Sequence, residues 1–416
     1  MKKIIAATLT FVMLVTSLSG CNFLTSIVDR ANYLTNSLRY GATLDNVAPL
    51  EAKAIVDSLI PVKTESYFGR SQLKPDEQRV YDSIVYCAEN LIPRLNVSNY
   101  EFDKCTIDKI IIHYSDDFPQ HFWMSKSYSY SFVGEKVLSI SFSYGIYQQK
   151  RDKLNSDREA VENAVKEILE GITDIMSDYE KELIIHDRLL QRVEYDETLN
   201  QHNIQNIYGV FVNKLAVCEG YAKAFQYLMY CAGINSLYVK GVAKDVLHGW
   251  NMVLIDNNYY FVDPTWNDPT IEGISRDYIE HSYFNLMLEQ ISKDHQYVPD
   301  KHESGVQTSY ILPETKSNEY NFYIVNNLVI NEKSTSVISS KISKILAKAA
   351  NDGQKYAEIK VDNGNTISTF IDKFLNVEIL NIINQANKSI VKDKISLKNF
   401  SYTSNEDQNT ICILLR

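Results

Sequence analysis

The sequence predicts an α+β fold, and three observations carry that prediction. From about residue 157 to residue 234 apolar residues recur at helical spacing. From Ser236 to Asp263 they switch to strand spacing, and the short turn "DNN" makes two of those strands antiparallel. At 416 residues the chain exceeds one ordinary core, so two or three domains are expected.

Composition narrows the class. The chain is 45% hydrophobic and 23% charged, as globular proteins are. A formal charge of −10 with no long basic run argues against a nucleic-acid partner.

Residues 1–20 read as a leader. "MKK" is a short positive region, and the apolar stretch that follows is shorter than the roughly 20 residues that span a bilayer. It closes on "LSGC", Leu18–Cys21, which resembles a bacterial lipoprotein signal. That resemblance implies a lipid on the Cys21 thiol and a protein held to the membrane outside the cytoplasm. Removing residues 1–20 takes away Lys2 and Lys3 and no acid, leaving a charge of −12.

Residues 21–72 read as a tether with a short helix near Leu50–Leu59. An N-terminal α/β region, 73–150, opens at Pro75, which suits a first helical turn. Val80, Ile84, Ala88 and Leu91 fall on one face of that helix. Alternation through Tyr128, Tyr130 and Phe132, then Leu138, Ile140, Phe142 and Tyr144, predicts a hairpin turning at Gly134.

The central region, 151–304, begins with a helical stripe at Val161, Val165, Ile168, Leu169 and Ile172. "SDYE" from Ser177 to Glu180 is a capping-box pattern that starts the next helix. An amphipathic helix follows in "AVCEGYAKAFQYLMYCAGI", then strands in "SLYVKGVA", "HGWNMVLID" and "YYFVDPTW". Residues 305–416 restart with one helix and two strands and carry no chemical motif. They read as an accessory α/β module.

The chain has six cysteines. Lipidation of Cys21 leaves five, so at least one thiol stays free unless chains cross-link, and whether Cys87 and Cys105 pair is open. No CxxC or HxxxH spacing supports a zinc site. Cys218 and Cys231 sit 13 residues apart on one helix, about 20 Å, too far for a disulfide. Cys231 lies in the last turn beside Phe225, Leu228 and Met229 and reads as a small apolar residue. Cys218 lies in the first turn, where unpaired N–H groups and the helix dipole favour a thiolate and can receive an oxyanion.

A nucleophile needs a base. Most of the eight histidines lie in polar contexts that suggest solvent, but His248 opens a strand and Asp263 closes the next. With a turn at Asn257–Asn258, Met252 would face Asp263. His248 and Asp263 would then share a sheet face, four residues out of register, about 13 Å apart. Asp268 is a rival carboxylate, but "WNDP" reads as a turn.

Together "YGVFVNKLAVCEGYAKAFQYLMYCAGI", "HGWNMV" and "YYFVDPTWND" resemble the transglutaminase-like superfamily, in its bacterial core domains. The resemblance covers roughly 175–270, and Gly249 stands where alanine is frequent in the family. It implies a papain-like core and a triad of Cys218, His248 and Asp263 acting on amides through a thioester. No metal or organic cofactor is implied. Tyr208 is a candidate second oxyanion donor or else a buried structural tyrosine. Trp250 either shields the site and contacts substrate or packs the core.

The expected protein is therefore a lipid-anchored cysteine-nucleophile enzyme with a peptide or protein substrate, hydrolysis being favoured over transfer to an amine. A noncatalytic surface-binding or scaffold protein that kept the fold is the alternative. Acyl transfer from a small thioester onto an arylamine would use a similar triad, but no cofactor-binding segment is evident.

Overall fold

The computed structural model describes residues 67–269, 278–391, 393–396 and 400–415. The expected leader, Cys21, the tether and the helix near Leu50–Leu59 lie outside the described residues. Among the described residues, no helix is long and apolar enough to cross a membrane.

In the N-terminal part, helices α1 (Pro75–Asn90) and α2 (Lys104–Asp117) pack beside a three-stranded sheet in the order β1-β3-β2. Its strands are β1 (Arg94–Asn96), β2 (Tyr128–Val133) and β3 (Lys136–Phe142). Helix α1 starts at the expected proline and buries Val80, Ile84, Ala88 and Leu91. The hairpin turns at Gly134, but a bulge beside Ser131 and Phe132 shifts the pairing from Ser131↔Ser139 to Phe132↔Val137. A bulge inverts the alternation beyond it. Val137 is therefore buried, Leu138 only partly so, and Phe132 is exposed beneath the Lys104 ammonium.

The central part begins with helices α3 (Arg151–Ile168) and α4 (Asp178–Arg192). Ser177 and Glu180 form the expected capping box: the Glu180 amide donates to Ser177 Oγ, and the Ser177 amide to Glu180 Oε2. Two short parallel strands, β4 (Glu194–Tyr195) and β5 (Leu215–Ala216), lead into helix α5 (Cys218–Cys231). This helix lies against a sheet in the order β8-β7-β6-β9. The strands are β6 (Ser236–Ala243), β7 (Val246–Ile255), β8 (Asn258–Val262) and β9 (His295–Tyr297), and all pairings are antiparallel.

Helix α5 is not amphipathic in place. Every residue from Gly220 to Tyr230 is buried, and the polar side chains of Lys223 and Gln226 have partners. Gln226 Nε2 donates to the Asp116 carbonyl at 2.9 Å, and Lys223 pairs with Glu219 at 2.8 Å. Asn251 on β7 ties sheet to helix by donating to the Ala222 and Leu237 carbonyls at 3.0 and 3.2 Å.

The last part forms a third apolar core from Ile330 to Leu415. It holds a sheet in the order β10-β11-β13-β12, with β10 (Val329–Ile330), β11 (Tyr356–Val361), β12 (Ser401–Asn405) and β13 (Thr410–Leu414). Helices α6 (Thr335–Asn351) and α7 (Ile379–Asn387) pack within it. Residues 305–326, assigned above to the accessory module, lie largely on the central part instead. The Tyr310 hydroxyl donates to the Tyr238 carbonyl, and Phe322 stacks on His281 at 3.8 Å.

Candidate active site

Helix α5 carries Cys218 at its first position, and a close backbone approach holds that end. The Val217 amide donates to the Ile204 carbonyl at 2.9 Å. A Cβ on Gly220 would meet the Ile204 oxygen at 2.4 Å and Ala216 Cβ at 2.8 Å, so only glycine lets the first turn sit there. Glu219 is clamped by Lys126 at 2.6 Å and Lys223 at 2.8 Å. The amides of Cys218, Glu219 and Gly220 have no carbonyl four residues back within the helix, which leaves the first turn as a source of oxyanion donors.

The β7–β8 hairpin sets the partner side chains. Its two turn residues are Asp256 and Asn257, both at positive φ, so Ile255 pairs with Asn258 and Met252 with Phe261. This corrects the expected turn at Asn257–Asn258. It halves the expected offset from four residues to two while keeping His248 and Asp263 on one face. His248 Nε2 donates to Asp263 Oδ2 at 2.7 Å. With that nitrogen engaged, Nδ1 is the ring atom left to meet the thiol, and Cys218 is a side-chain hydrogen-bond partner of His248.

Asp263 is completely buried and accepts four donors. Its Oδ1 receives the amides of Thr265 and Trp266 at 2.9 and 3.2 Å, and its Oδ2 receives His248 and His295, the latter at 3.0 Å. Burial opposes an imidazolium at His248, but the Asp263 charge, the hydrogen bond to it and the Cys218 sulfur together raise the ring to about 10. Burial likewise opposes the Asp263 carboxylate, and the two histidines outweigh it, holding the carboxyl well below its usual range.

The other candidates fall elsewhere. Tyr208 is not an oxyanion donor: its hydroxyl donates to Asp157 Oδ1 at 3.3 Å and its ring packs on Phe122. Trp250 is 1% exposed, so it does not reach a substrate; it lies nearly parallel to His248 at 6.0 Å and walls the imidazole. Asp268 accepts from the Tyr221 hydroxyl at 2.7 Å and is pushed up to about 6 by burial, against that hydrogen bond.

All five described cysteines are free, so Cys87 and Cys105 do not pair. Cys231 packs partly buried against the central core, and burial raises it to about 12.

Of three residues beside the triad, Trp266 stands within the "YYFVDPTWND" block, whereas His295 and Tyr195 had no sequence signal. His295 sits on a three-residue strand, too short to show a period. Trp266 closes over both histidines, at 5.6 Å from His248 and 4.4 Å from His295. Tyr195 packs beside Tyr221, with its phenol raised by burial and then by Cys218 and Asp263. The expectation that most histidines face solvent is also corrected. His113, His121, His186, His281 and His295 are all buried, because each has found a hydrogen-bond partner.

Among the described residues, two trios have the donor types a zinc ion takes: His186 with Asp187 and His281, and His248 with Asp263 and His295. In both, one carboxylate oxygen lies 2.7–3.1 Å from a nitrogen of each ring, which is hydrogen-bond distance. The ring protons thus occupy the space a cation would need.

A thiol at a helix start, an imidazole against it and a buried carboxylate behind define the class of cysteine-type enzymes. Residues 166–264 match the family model for the transglutaminase-like superfamily, and the chain carries a domain of that superfamily spanning all three residues. A search of curated proteins finds no match. Solved structures that match part of the chain include a TGase (14% identity, 36% of this chain and 45% of that one, TM-score 0.24). A candidate cysteine protease from Cytophaga hutchinsonii is 21% identical over 26% of this chain and 37% of that one, with a TM-score of 0.22. A candidate protease from Parabacteroides distasonis is 12% identical over 33% of this chain and 30% of that one, with a TM-score of 0.20. The chain thus spans less than half the length of each.

Proposed function

We propose that the protein is a cysteine-nucleophile hydrolase of peptide or side-chain amides, anchored outside the cytoplasm by a lipid on Cys21. The observation that carries this reading is the His248 ring, held by buried Asp263 on one nitrogen with Cys218 as its other partner. His248 takes the thiol proton, and the sulfur attacks the amide carbonyl, forming a C–S bond. First-turn amides of α5 receive the oxyanion. As the C–N bond breaks, His248 returns its proton to the leaving nitrogen, which departs as an amine or ammonia. Water then attacks the thioester with His248 as base, releasing a carboxylic acid and restoring the thiol. Water is favoured over an amine because no amine-binding group is evident among the described residues.

The test is to incubate the full chain with a peptide library and a labelled primary amine, beside Cys218→Ala. Hydrolysed amides that vanish in the variant support the reading. Amine incorporation in place of hydrolysis would make it a transferase, and no turnover of either kind would refute the enzyme. Separately, Cys21→Ala should move the protein from the membrane fraction to the soluble fraction. Retention on the membrane would refute the anchor.

A further inference from the structure

The triad mechanism uses one of the two histidines on Asp263 and leaves the other unexplained. His295 Nε2 lies 3.0 Å from Asp263 Oδ2, and its Nδ1 lies 2.5 Å from Asp294 Oδ1. Both neighbours are carboxylates. Asp263 already accepts from His248, Thr265 and Trp266, and Asp294 Oδ2 accepts the Tyr283 hydroxyl at 2.6 Å. An ionised carboxylate only accepts, so between two of them both nitrogens of His295 donate, and a ring that donates twice is an imidazolium. The ring is boxed by Trp266 at 4.4 Å, Trp250 at 5.0 Å and Tyr283 at 5.4 Å. It is buried, so it acts on Asp263 without touching substrate.

We infer that His295 is a positioning residue of the catalytic site: an imidazolium fixed between Asp294 and Asp263, it locks the orienting carboxylate and offsets part of the charge with which Asp263 holds the His248 proton. This rests on the function proposed above. A carboxylate shared by two cations binds each less tightly than it would bind one. His295 therefore keeps His248 from becoming too poor an acid to protonate the leaving nitrogen. Its own proton is stabilised by two carboxylates against the burial that opposes it, and the ring is raised accordingly.

The charged and titratable groups around it are few. Asp294 precedes it in the chain, His248 comes from β7, and Asp263 and Tyr283 come from the chain after β8. Lys244, at the β6–β7 turn, lies over Trp266 at 5.4 Å, and its charge is paired with Asp407 at 2.8 Å.

The test uses the full chain, with His295→Gln and Asp294→Asn each checked for folding by far-UV circular dichroism. Gln removes the charge and keeps a donor for Asp263. Asn keeps the imidazole and removes the carboxylate that secures its second proton. Carbamoylmethylation of Cys218 by iodoacetamide is followed by peptide mass spectrometry from about pH 6 to about pH 11, a range that brackets ordinary thiol and imidazole titration. In the wild type, the upper step of the rate profile marks His248 losing its proton. Both variants should move that step upward, by about one pH unit. A merely structural role would lower activity without moving it. An unmoved or lowered step in the folded variants overturns the inference while leaving the proposed function standing. A wild-type Cys218 that alkylates like an ordinary exposed thiol overturns the proposed function itself.

Discussion

Asp263→Asn tests the site most directly, because all four hydrogen bonds of that carboxylate come from donors. Thr265 and Trp266 amides point at Oδ1, and His248 and His295 at Oδ2. Asn must put its NH2 toward one of these pairs, donor against donor, whichever way it turns. If the NH2 faces His248, Nε2 must become the acceptor. The ring proton then moves to Nδ1, which can no longer take the thiol proton. If it faces the amides, two buried N–H groups lose their acceptor. The energetic scale follows from His248, which rises from 6.5 to about 10 in this setting. At about 1.4 kcal/mol per unit that is roughly 5 kcal/mol, net of the burial that opposes the charge and with the Cys218 sulfur contributing part. We expect thioester formation to slow about 10³- to 10⁴-fold. The assay is single-turnover acylation of Cys218, read by intact mass, together with iodoacetamide reactivity against pH in protein shown by circular dichroism to be folded. Acylation within about threefold of wild type would refute the assignment of Asp263 as the orienting carboxylate, since a wrong tautomer costs far more.

Three further outcomes are expected. Gly249→Ala would drive a Cβ to 2.7 Å or less from the Tyr238 ring, which is buried and cannot swing away, so urea denaturation should show a loss of about 1–3 kcal/mol. Unchanged stability would mean that the strand accepts alanine without strain. Glu358→Gln removes one of two carboxylates holding buried His281 and should cost about 2–4 kcal/mol near neutral pH. His281 is raised from 6.5 to about 10, with the Glu358 and Asp187 charges outweighing burial. The stabilisation is therefore complete below about 6.5 and fades as pH climbs through 10, so the variant's deficit should shrink there; a pH-independent deficit would argue against the ion pair. Tyr208→Phe, which loses one 3.3 Å bond to Asp157, should lower stability by about 1 kcal/mol or less and leave turnover within about twofold. A large loss of turnover would return Tyr208 to the site.

What the sequence disclosed about the site, and what it concealed, follow from the range over which each signal acts. Parity is local, so His248 and Asp263 could be placed on one face from alternation alone. Their separation was not legible, because moving the turn from Asn257–Asn258 to Asp256–Asn257 changes the offset by two residues. Tyr208 looked close to the nucleophile because it precedes Cys218 by ten residues. Its hydroxyl instead answers to Asp157, fifty-one residues earlier on α3. Helix α5 looked amphipathic because Lys223 and Gln226 are polar, whereas both are buried: Lys223 pairs with Glu219 one turn earlier, and Gln226 reaches the Asp116 carbonyl, which the sequence does not place beside it. His295 offered only a short polar segment, and its role depends on a carboxylate 32 residues away.

These long-range contacts also bear on how the reacting geometry is kept. The Asp263 carboxylate is held from one side by backbone amides and from the other by two rings, while its own carbonyl accepts the Asn267 amide at 3.2 Å. Asn267 in turn donates through Nδ2 to His186 and accepts the Tyr283 amide through Oδ1, so the turn after β8 is tied into the segment that carries His281 and meets Glu358 on β11. A carboxylate fixed at both oxygens and through its backbone has no rotation left to lose when His248 becomes charged. The orientation of the imidazole is therefore set during folding, and the transition state does not bear that cost again. On this argument the C-terminal module supports the catalytic geometry through Glu358.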